Sequence, residues 1–145
     1  MKEAIGNSFL VSLSIVFLFL IMLMLVSALS YSKAYKAKNK IVSIIEKYDG
    51  FTEEAETEIN TDLFKMGYRT SLRNRSCGEK ENMALLHDTD NGTYNYCVYE
   101  VSSSRGKYYH VITYMHFDLP VLEEYLTIEV NGDSRTVVDG ENLEG

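Results

Sequence analysis

The hydrophobic pattern begins with one long apolar run, which is followed by an amphipathic stretch and then by short alternating segments. The run is Phe9 to Leu29 (FLVSLSIVFLFLIMLMLVSAL), with no charged residue, glycine or proline. As a helix it would be about 31 Å long, close to the hydrocarbon thickness of a bilayer. Its serines are tolerable because a helical hydroxyl can bond to a carbonyl one turn earlier. We therefore expect a polar head over residues 1–8 and a transmembrane helix over residues 9–29.

A cleaved secretory signal is the alternative interpretation of this run. Such signals have a hydrophobic region of roughly 7–15 residues that ends at a small-x-small site. The run here is longer, and its best site, Ser27 to Ser30 (SALS), is followed by more helical pattern. We favour a retained anchor. A buried helix of a soluble protein is disfavoured because too little chain remains to enclose it.

Past Leu29 the apolar positions recur at spacings of three and four, which is typical of an amphipathic helix. The stripe comprises Tyr31, Ala34, Tyr35, Lys38, Ile41, Val42, Ile45 and Tyr48. Off the stripe lie Lys33, Lys36, Lys40 and Lys47. Asp49-Gly50 provides a C-terminal stop. One helix of about 40 residues is predicted, with its first half in lipid and residues 30–50 forming a stalk with a face for packing.

Residues 51–145 predict one α+β domain. Thr52 is a candidate N-cap, and Gly67 would end the helix that it begins. The helix carries acids in its first turn (Glu53, Glu54, Glu56) and an apolar side (Ile59, Leu63, Phe64, Met66). The predicted strands are Met83–Leu86, Tyr94–Ser102, Lys107–Phe117, Leu126–Val130 and Arg135–Val138, the last two flanking a tight turn at Asn131-Gly132-Asp133. The fold class is thus a long N-terminal helix, a second short helix and an antiparallel sheet of four or five strands.

The chain has two cysteines, Cys77 and Cys97, both beyond the apolar run. A bridge between them would suit a small domain in an oxidising compartment. The alternative is a pair of unrelated buried thiols. We favour the disulfide, and the absence of a CxxC pair argues against redox catalysis and zinc binding.

Charge is distributed unevenly along the chain. Residues 48–145 hold eight basic and nineteen acidic residues, a net charge near −11, which excludes nucleic-acid binding. Four lysines just after the apolar run favour a cytoplasmic C-terminal side, whereas the cysteines and the acidity fit an exported domain better. We choose export, with the domain extracytoplasmic.

Candidate chemistry is sparse. The histidines are His87, His110 and His116; the last two fall on one face of a predicted strand, but no carboxylate lies between them at ligand spacing, so we predict no metal site and no cofactor. Nucleophile motifs such as GxSxG and HExxH are absent from the sequence, and we expect no enzyme. Six tyrosines cluster on the predicted hairpin (Tyr94, Tyr96, Tyr99, Tyr108, Tyr109, Tyr114). They would either pack one sheet face against the helix or form a surface for subunit contact or adhesion.

The layout resembles pilin-like proteins, and most closely the TadE-like minor pilins or pseudopilins of tight-adherence pilus systems. Two segments carry the resemblance, IVSIIEKYDGFTEEAETEINTDLFKMGYR after the anchor and the later pair KYYHVITYMHFDLPVLEEYLTIEV. The resemblance implies a structural role in a surface filament or its assembly machine, with related pilins and assembly proteins as partners. Gly6 would be the processing glycine; the fifth residue after it is Val11, where the family has an acid, and the nearby acid Glu3 precedes it.

Two functional hypotheses follow. In the first, the long helix packs with like helices, aided by the small pairs Ser8/Ser12 and Ala28/Ser32 and by stalk residues Tyr35, Ile41, Val42 and Ile45. In the second, the chain is a bitopic envelope protein whose domain binds a ligand or partner as a sensor.

Overall fold

The fold is α+β, as predicted, and is seen in a computed structural model that describes residues 2–68, 76–89, 94–116 and 127–137. In chain order the elements are α1 (Lys2–Lys47), α2 (Glu53–Lys65), β1 (Ala84–His87), β2 (Tyr96–Ser103), β3 (Gly106–His116) and β4 (Thr127–Asp133). The predictions at residues 117–126 and 138–145 lie outside the described residues.

Helix α1 is continuous over 46 residues and begins at Lys2, so residues 2–8 of the predicted polar head are part of the helix. The hydroxyls of Ser14 and Ser27 donate to the carbonyls of Leu10 and Leu23, at 2.9 and 2.8 Å. These hydroxyls are therefore satisfied within the helix, as an apolar environment requires. We call residues 9–29 the apolar half of α1 and residues 30–47 its stalk half.

The predicted turn signals end α1 and begin α2. Asp49 has a positive φ of 53°, and the Gly50 amide donates to the Ile45 carbonyl at 3.0 Å. Thr52 is the N-cap of α2, since its side chain accepts a hydrogen bond from the Ala55 amide at 3.2 Å. Gly67 follows α2 with φ 63°, a left-handed conformation that glycine adopts without strain.

The four strands form one antiparallel sheet in the order β1-β2-β3-β4, so each strand pairs with its neighbour in sequence. Strands β2 and β3 form the predicted hairpin, with Ser103 opposite Gly106 at its closed end. Gly106 has φ 130°, and a Cβ there would lie 2.3 Å from the Val137 carbonyl oxygen. The turn therefore requires glycine for both conformation and space.

The predicted tight turn at Asn131-Gly132-Asp133 is wrong, because these residues form the end of β4 and pair with β3. The predicted strand Arg135–Val138 is also wrong within the described residues, where Val137 makes only an isolated bridge to Lys107. Gly132 is required for a reason other than a turn. A Cβ on Gly132 would lie 2.5 Å from Cδ of Lys38, so Gly132 lets the stalk half of α1 cross the strand closely.

The two faces of the sheet are covered differently. One face packs on α1 and α2 through a core that includes Ile41, Ile45, Ile59, Leu63, Tyr96, Val98 and Val111. The opposite face holds a smaller cluster of Cys77, Cys97, Tyr99, Ile112 and Tyr114, with Met83 packed against it. Successive side chains of β2 therefore enter the two clusters in turn, because neighbouring residues of a strand point to opposite faces of the sheet.

Candidate functional site

Most of the apolar half of α1 is exposed in the part of the chain that the structure describes. Every large apolar side chain from Phe9 to Leu20 is more than half exposed. Among the described residues, one helix is long and apolar enough to cross a membrane, and none of its most apolar window is buried. A continuous apolar surface of this size in water is unfavourable, so it requires lipid or neighbouring helices around it.

The small residues proposed for helix packing lie along α1, and three of the four are exposed. Ser8, Ser12 and Ala28 are exposed, and Ser32 is half-buried. Gly6 is exposed in the first turns of α1, with nothing within 4 Å of the place where a Cβ would stand. These positions are open to a neighbouring helix or a peptidase, and their roles stay predictions.

The stalk half of α1 has a narrower buried face than the sequence stripe predicts. The buried residues are Ala34, Ala37, Ile41, Ile44 and Ile45. Ala37 and Ile44 were not in the predicted stripe, whereas Tyr31 and Tyr35 belong to it and are 52% and 45% exposed. The subunit-packing interpretation is wrong for Ile41 and Ile45, because their side chains fill this chain's own core. Val42 is half-buried beside that core.

Tyr31 and Tyr35 form an exposed aromatic pair one turn apart on the stalk half. Their ring centroids are 6.2 Å apart and the rings are nearly parallel. The Lys38 ammonium lies 4.4 Å from the centroid of the Tyr35 ring, a cation–π contact. Both rings are therefore ordered by neighbours on α1 while still facing outward.

Charged pairs fasten α2 to the stalk half. Lys40 Nζ lies 3.1 Å from Asp62 Oδ2, and Lys47 Nζ lies 2.6 Å from Glu58 Oε2. The Tyr48 hydroxyl donates to the same Glu58 oxygen at 2.8 Å. The ammonium of Lys47 and this hydroxyl hold the pKa of Glu58 below its ordinary value. Exposed pairs of this kind fix geometry more than they add stability.

The hairpin tyrosines are mostly core residues. Tyr94, Tyr96 and Tyr109 are buried in the cluster that faces the helices, and Tyr99 and Tyr114 are buried on the other side of the sheet. The surface-contact interpretation is therefore wrong for these five residues. Tyr108 alone of the six is half-buried. Burial of these rings is favourable because each has a large apolar area. The hydroxyls also find partners, since Tyr99 donates to the Gly78 carbonyl and the Tyr114 hydroxyl lies beside Cys97 Sγ.

His87 lies in the most unusual polar environment among the described residues. Its ring stacks on Tyr96 with centroids 4.1 Å apart, and its Nδ1 lies 3.3 Å from Glu56 Oε1. Within the part of the chain that is described, His87 Nε2 and the Tyr96 hydroxyl are buried without a hydrogen-bond partner. Burial lowers the pKa of His87, and the carboxylates of Glu56 and Asp88 oppose this shift. The ring is therefore neutral at neutral pH.

The histidines do not converge. His87 stacks against the helix-facing core, whereas the His110 ring lies near Tyr99 on the opposite side of the sheet and pairs with Asp133. The side chain of His116 is not among those described. No group of three His, Cys, Asp or Glu side chains suited to a metal ion occurs within the described residues.

The disulfide between Cys77 and Cys97 is present and closes a loop with a sequence separation of 20 residues. Asp88 strengthens the same region, since its Oδ1 accepts from the Cys77 amide at 2.9 Å. The Tyr99 hydroxyl donates to the Gly78 carbonyl at 2.7 Å. The bridge and these bonds hold residues 76–78 over the sheet face that the helices leave open.

The chain also has an open, shallow depression, lined by Tyr48, Glu53, Glu54, Thr57 and Glu58. It is an acidic surface formed by α2 and by Tyr48, the residue that follows the stalk half. Comparison with protein families, with characterised proteins and with solved structures found no match to this chain. The arrangement that stands out is therefore the long helix itself, uncovered in one half and built into a domain in the other.

Proposed function

We propose that this chain is a membrane-anchored structural subunit, a minor pilin or pseudopilin of a surface filament or of its assembly machinery. The observation that carries the proposal is the division of α1. The same 46-residue helix supplies an uncovered apolar rod and the central core element of a small antiparallel sheet. Such a subunit can exchange lipid for neighbouring helices around the rod without unfolding its domain.

An extracytoplasmic location of the domain is part of this proposal. The Cys77–Cys97 bridge supports it, because disulfides persist in oxidising compartments. The lysines that follow the apolar half argue the other way by the positive-inside rule. We give the disulfide more weight than the lysines, because it joins β2 to residues 76–78, which cover the second face of the sheet.

The compartment can be tested through the state of this disulfide in intact cells. Cells are quenched in acid and denatured, and thiols are then tagged with a maleimide polymer before or after reduction. We expect a mobility shift only after reduction. A shift without reduction would mean free thiols in a reducing compartment and would contradict the extracytoplasmic assignment.

The subunit role can be tested with a photo-crosslinking residue at Leu18, which is 61% exposed in the apolar half. We expect crosslinks to like chains or to pilus assembly proteins. The control site is Ser103, which is exposed in the β2–β3 hairpin and far from α1's apolar half. Crosslinks to lipid alone at Leu18 would favour the second hypothesis, a bitopic sensor. A neighbouring gene for a kinase or a sigma factor would also favour the sensor hypothesis. Neighbouring genes for a secretion ATPase and a prepilin peptidase would favour the subunit hypothesis.

A further inference from the structure

We propose that the base of the stalk half is a lipid-binding belt, formed by Tyr31, Lys33, Tyr35 and Lys36, that selects anionic phospholipid headgroups. The belt needs the membrane anchoring of residues 9–29 given under the proposed function, but it does not depend on a role in a filament. Its partner is the bilayer surface and not a soluble phosphate compound.

The height of these residues above the apolar half matches the headgroup layer. At 1.5 Å per residue, Lys33 and Lys36 stand about 6 and 10.5 Å beyond Leu29 along the helix axis. The polar layer of a bilayer leaflet is roughly 5–8 Å thick. A lysine side chain can bend toward it, and tyrosine is favoured at this depth because its ring is amphipathic.

The sheet reaches the same height. Thr113 Oγ1 donates to the Ala34 carbonyl at 3.1 Å, and Val130 packs against Ala34. Because Gly132 lies against Lys38 and Val130 against Ala34, β4 descends along α1 toward the apolar half. Two residues along β4 thus correspond to four residues along α1. Two residues beyond Val130, Ile128 is therefore level with Ser30, and its side chain is 45% exposed. The domain therefore rests at the bilayer plane on one side of α1, and the belt covers the other sides.

The charges at this height differ from those of the domain. Lys40 is paired with Asp62, and the Lys38 ammonium lies over Tyr35. Lys33 and Lys36 are exposed and have no acidic partner among the described residues. The acidic domain alone would be repelled by an anionic surface, so two unpaired lysines at its base have phosphate groups as their complementary partners.

The test uses the full chain in lipid nanodiscs and the fact that the sequence contains no tryptophan. Tyr35→Trp places a single fluorescent donor in the belt and preserves a ring for Lys38. Energy transfer is measured to a dansyl-labelled phosphatidylglycerol and, separately, to a dansyl-labelled phosphatidylcholine. We expect several-fold enrichment of the anionic probe, since one lysine near an anionic surface is equivalent to about fivefold in binding.

Adding Lys33→Gln and Lys36→Gln should abolish the preference for the anionic probe. The matched control adds Lys47→Gln and Lys107→Gln, which remove the same charge. Lys47 lies about 27 Å along α1 from the end of the apolar half, beyond a Debye length. Lys107 lies next to the closed end of the β2–β3 hairpin. The control should keep the preference. Equal transfer to both probes in the Tyr35→Trp chain would overturn the proposal, as would equal loss in both charge variants. A chain that does not enter the nanodisc would contradict the anchoring, and with it the belt.

Discussion

Isoleucine occurs in both halves of α1, in opposite surroundings. Ile15 is 62% exposed, whereas Ile41 is fully buried. The difference arises from the neighbours. Around Ile15 every side of the helix is apolar, so no single face can be presented to a sheet. Around Ile41 lysines occupy one side and leave one face for the core. The width of the apolar surface, rather than the apolar residue itself, decides whether the helix packs inside this chain or outside it.

The largest expected contrast comes from the same substitution in both halves. Ile41→Ala leaves a cavity between α1 and the sheet and should lower the free energy of unfolding of the domain by about 2–5 kcal/mol. Ile15→Ala should change it by less than about 0.5 kcal/mol. Urea unfolding of the full chain in detergent, followed by near-ultraviolet circular dichroism of the buried tyrosines, measures both. Equal effects would contradict the division of α1.

The disulfide should affect the domain and not the apolar half. Cys77→Ser with Cys97→Ser removes a crosslink over 20 residues and should lower the free energy of unfolding by about 3 kcal/mol. Helicity of the apolar half in detergent, read from far-ultraviolet dichroism after the domain has unfolded, should be unchanged. Reductant serves as the control, because it should destabilise the natural chain and leave the double variant unaffected.

A smaller effect is expected at the junction between the stalk half and α2. Thr52→Ala removes the cap on the Ala55 amide and should cost about 1 kcal/mol. Thr61→Ala is the matched control, because its hydroxyl donates only to the Thr57 carbonyl inside α2. Denaturation midpoints of the two variants make the comparison, and a larger loss for Thr61→Ala would contradict the cap.

The smallest effect is a pH dependence confined to the domain. Because burial lowers the pKa of His87 from its ordinary value of 6.5, the unfolded chain takes up this proton before the folded chain does. Stability should therefore be full above pH 6.5 and fall as the pH drops from there toward the lowered pKa. His87→Phe, which keeps a ring on Tyr96, should remove this part of the loss. The loss near pH 4 from Glu58 and Asp62, whose pKa values are also lowered, should remain in both chains.

Local signals predicted the helices and the hairpin correctly. Helix α2 begins after Thr52 and ends before Gly67, as the capping side chain and the flexible glycine backbone predict. The alternation in YNYCVYEVS correctly predicts strand β2. These features depend on residues near one another in sequence, so a single chain is enough to find them. The apolar half was equally visible, because composition alone defines it.

The errors involve contacts between residues far apart in sequence. The local sequence predicts a turn at Gly132, but this glycine instead makes room for the side chain of Lys38. Ala37 lies outside the predicted stripe because a small residue carries little hydrophobic signal, yet its side chain is buried in the core between the helices and the sheet. For the tyrosines the sequence leaves two alternatives open, because it shows their alternation along the strand. It does not show that Cys77 and Met83 cover the second face of the sheet. Those errors required tertiary structure to correct.

The unbroken course of α1 has a mechanical consequence. A helix of 46 residues is about 69 Å long, and no hinge separates the part fit for a membrane from the part built into the sheet. It can act as a lever. If α1 tilts by 10° about its first residue, well within the range seen for spanning helices, its C-terminal end at Lys47 moves by about 12 Å. Any partner that reorients the apolar half would therefore displace the whole domain, with no conformational change inside it.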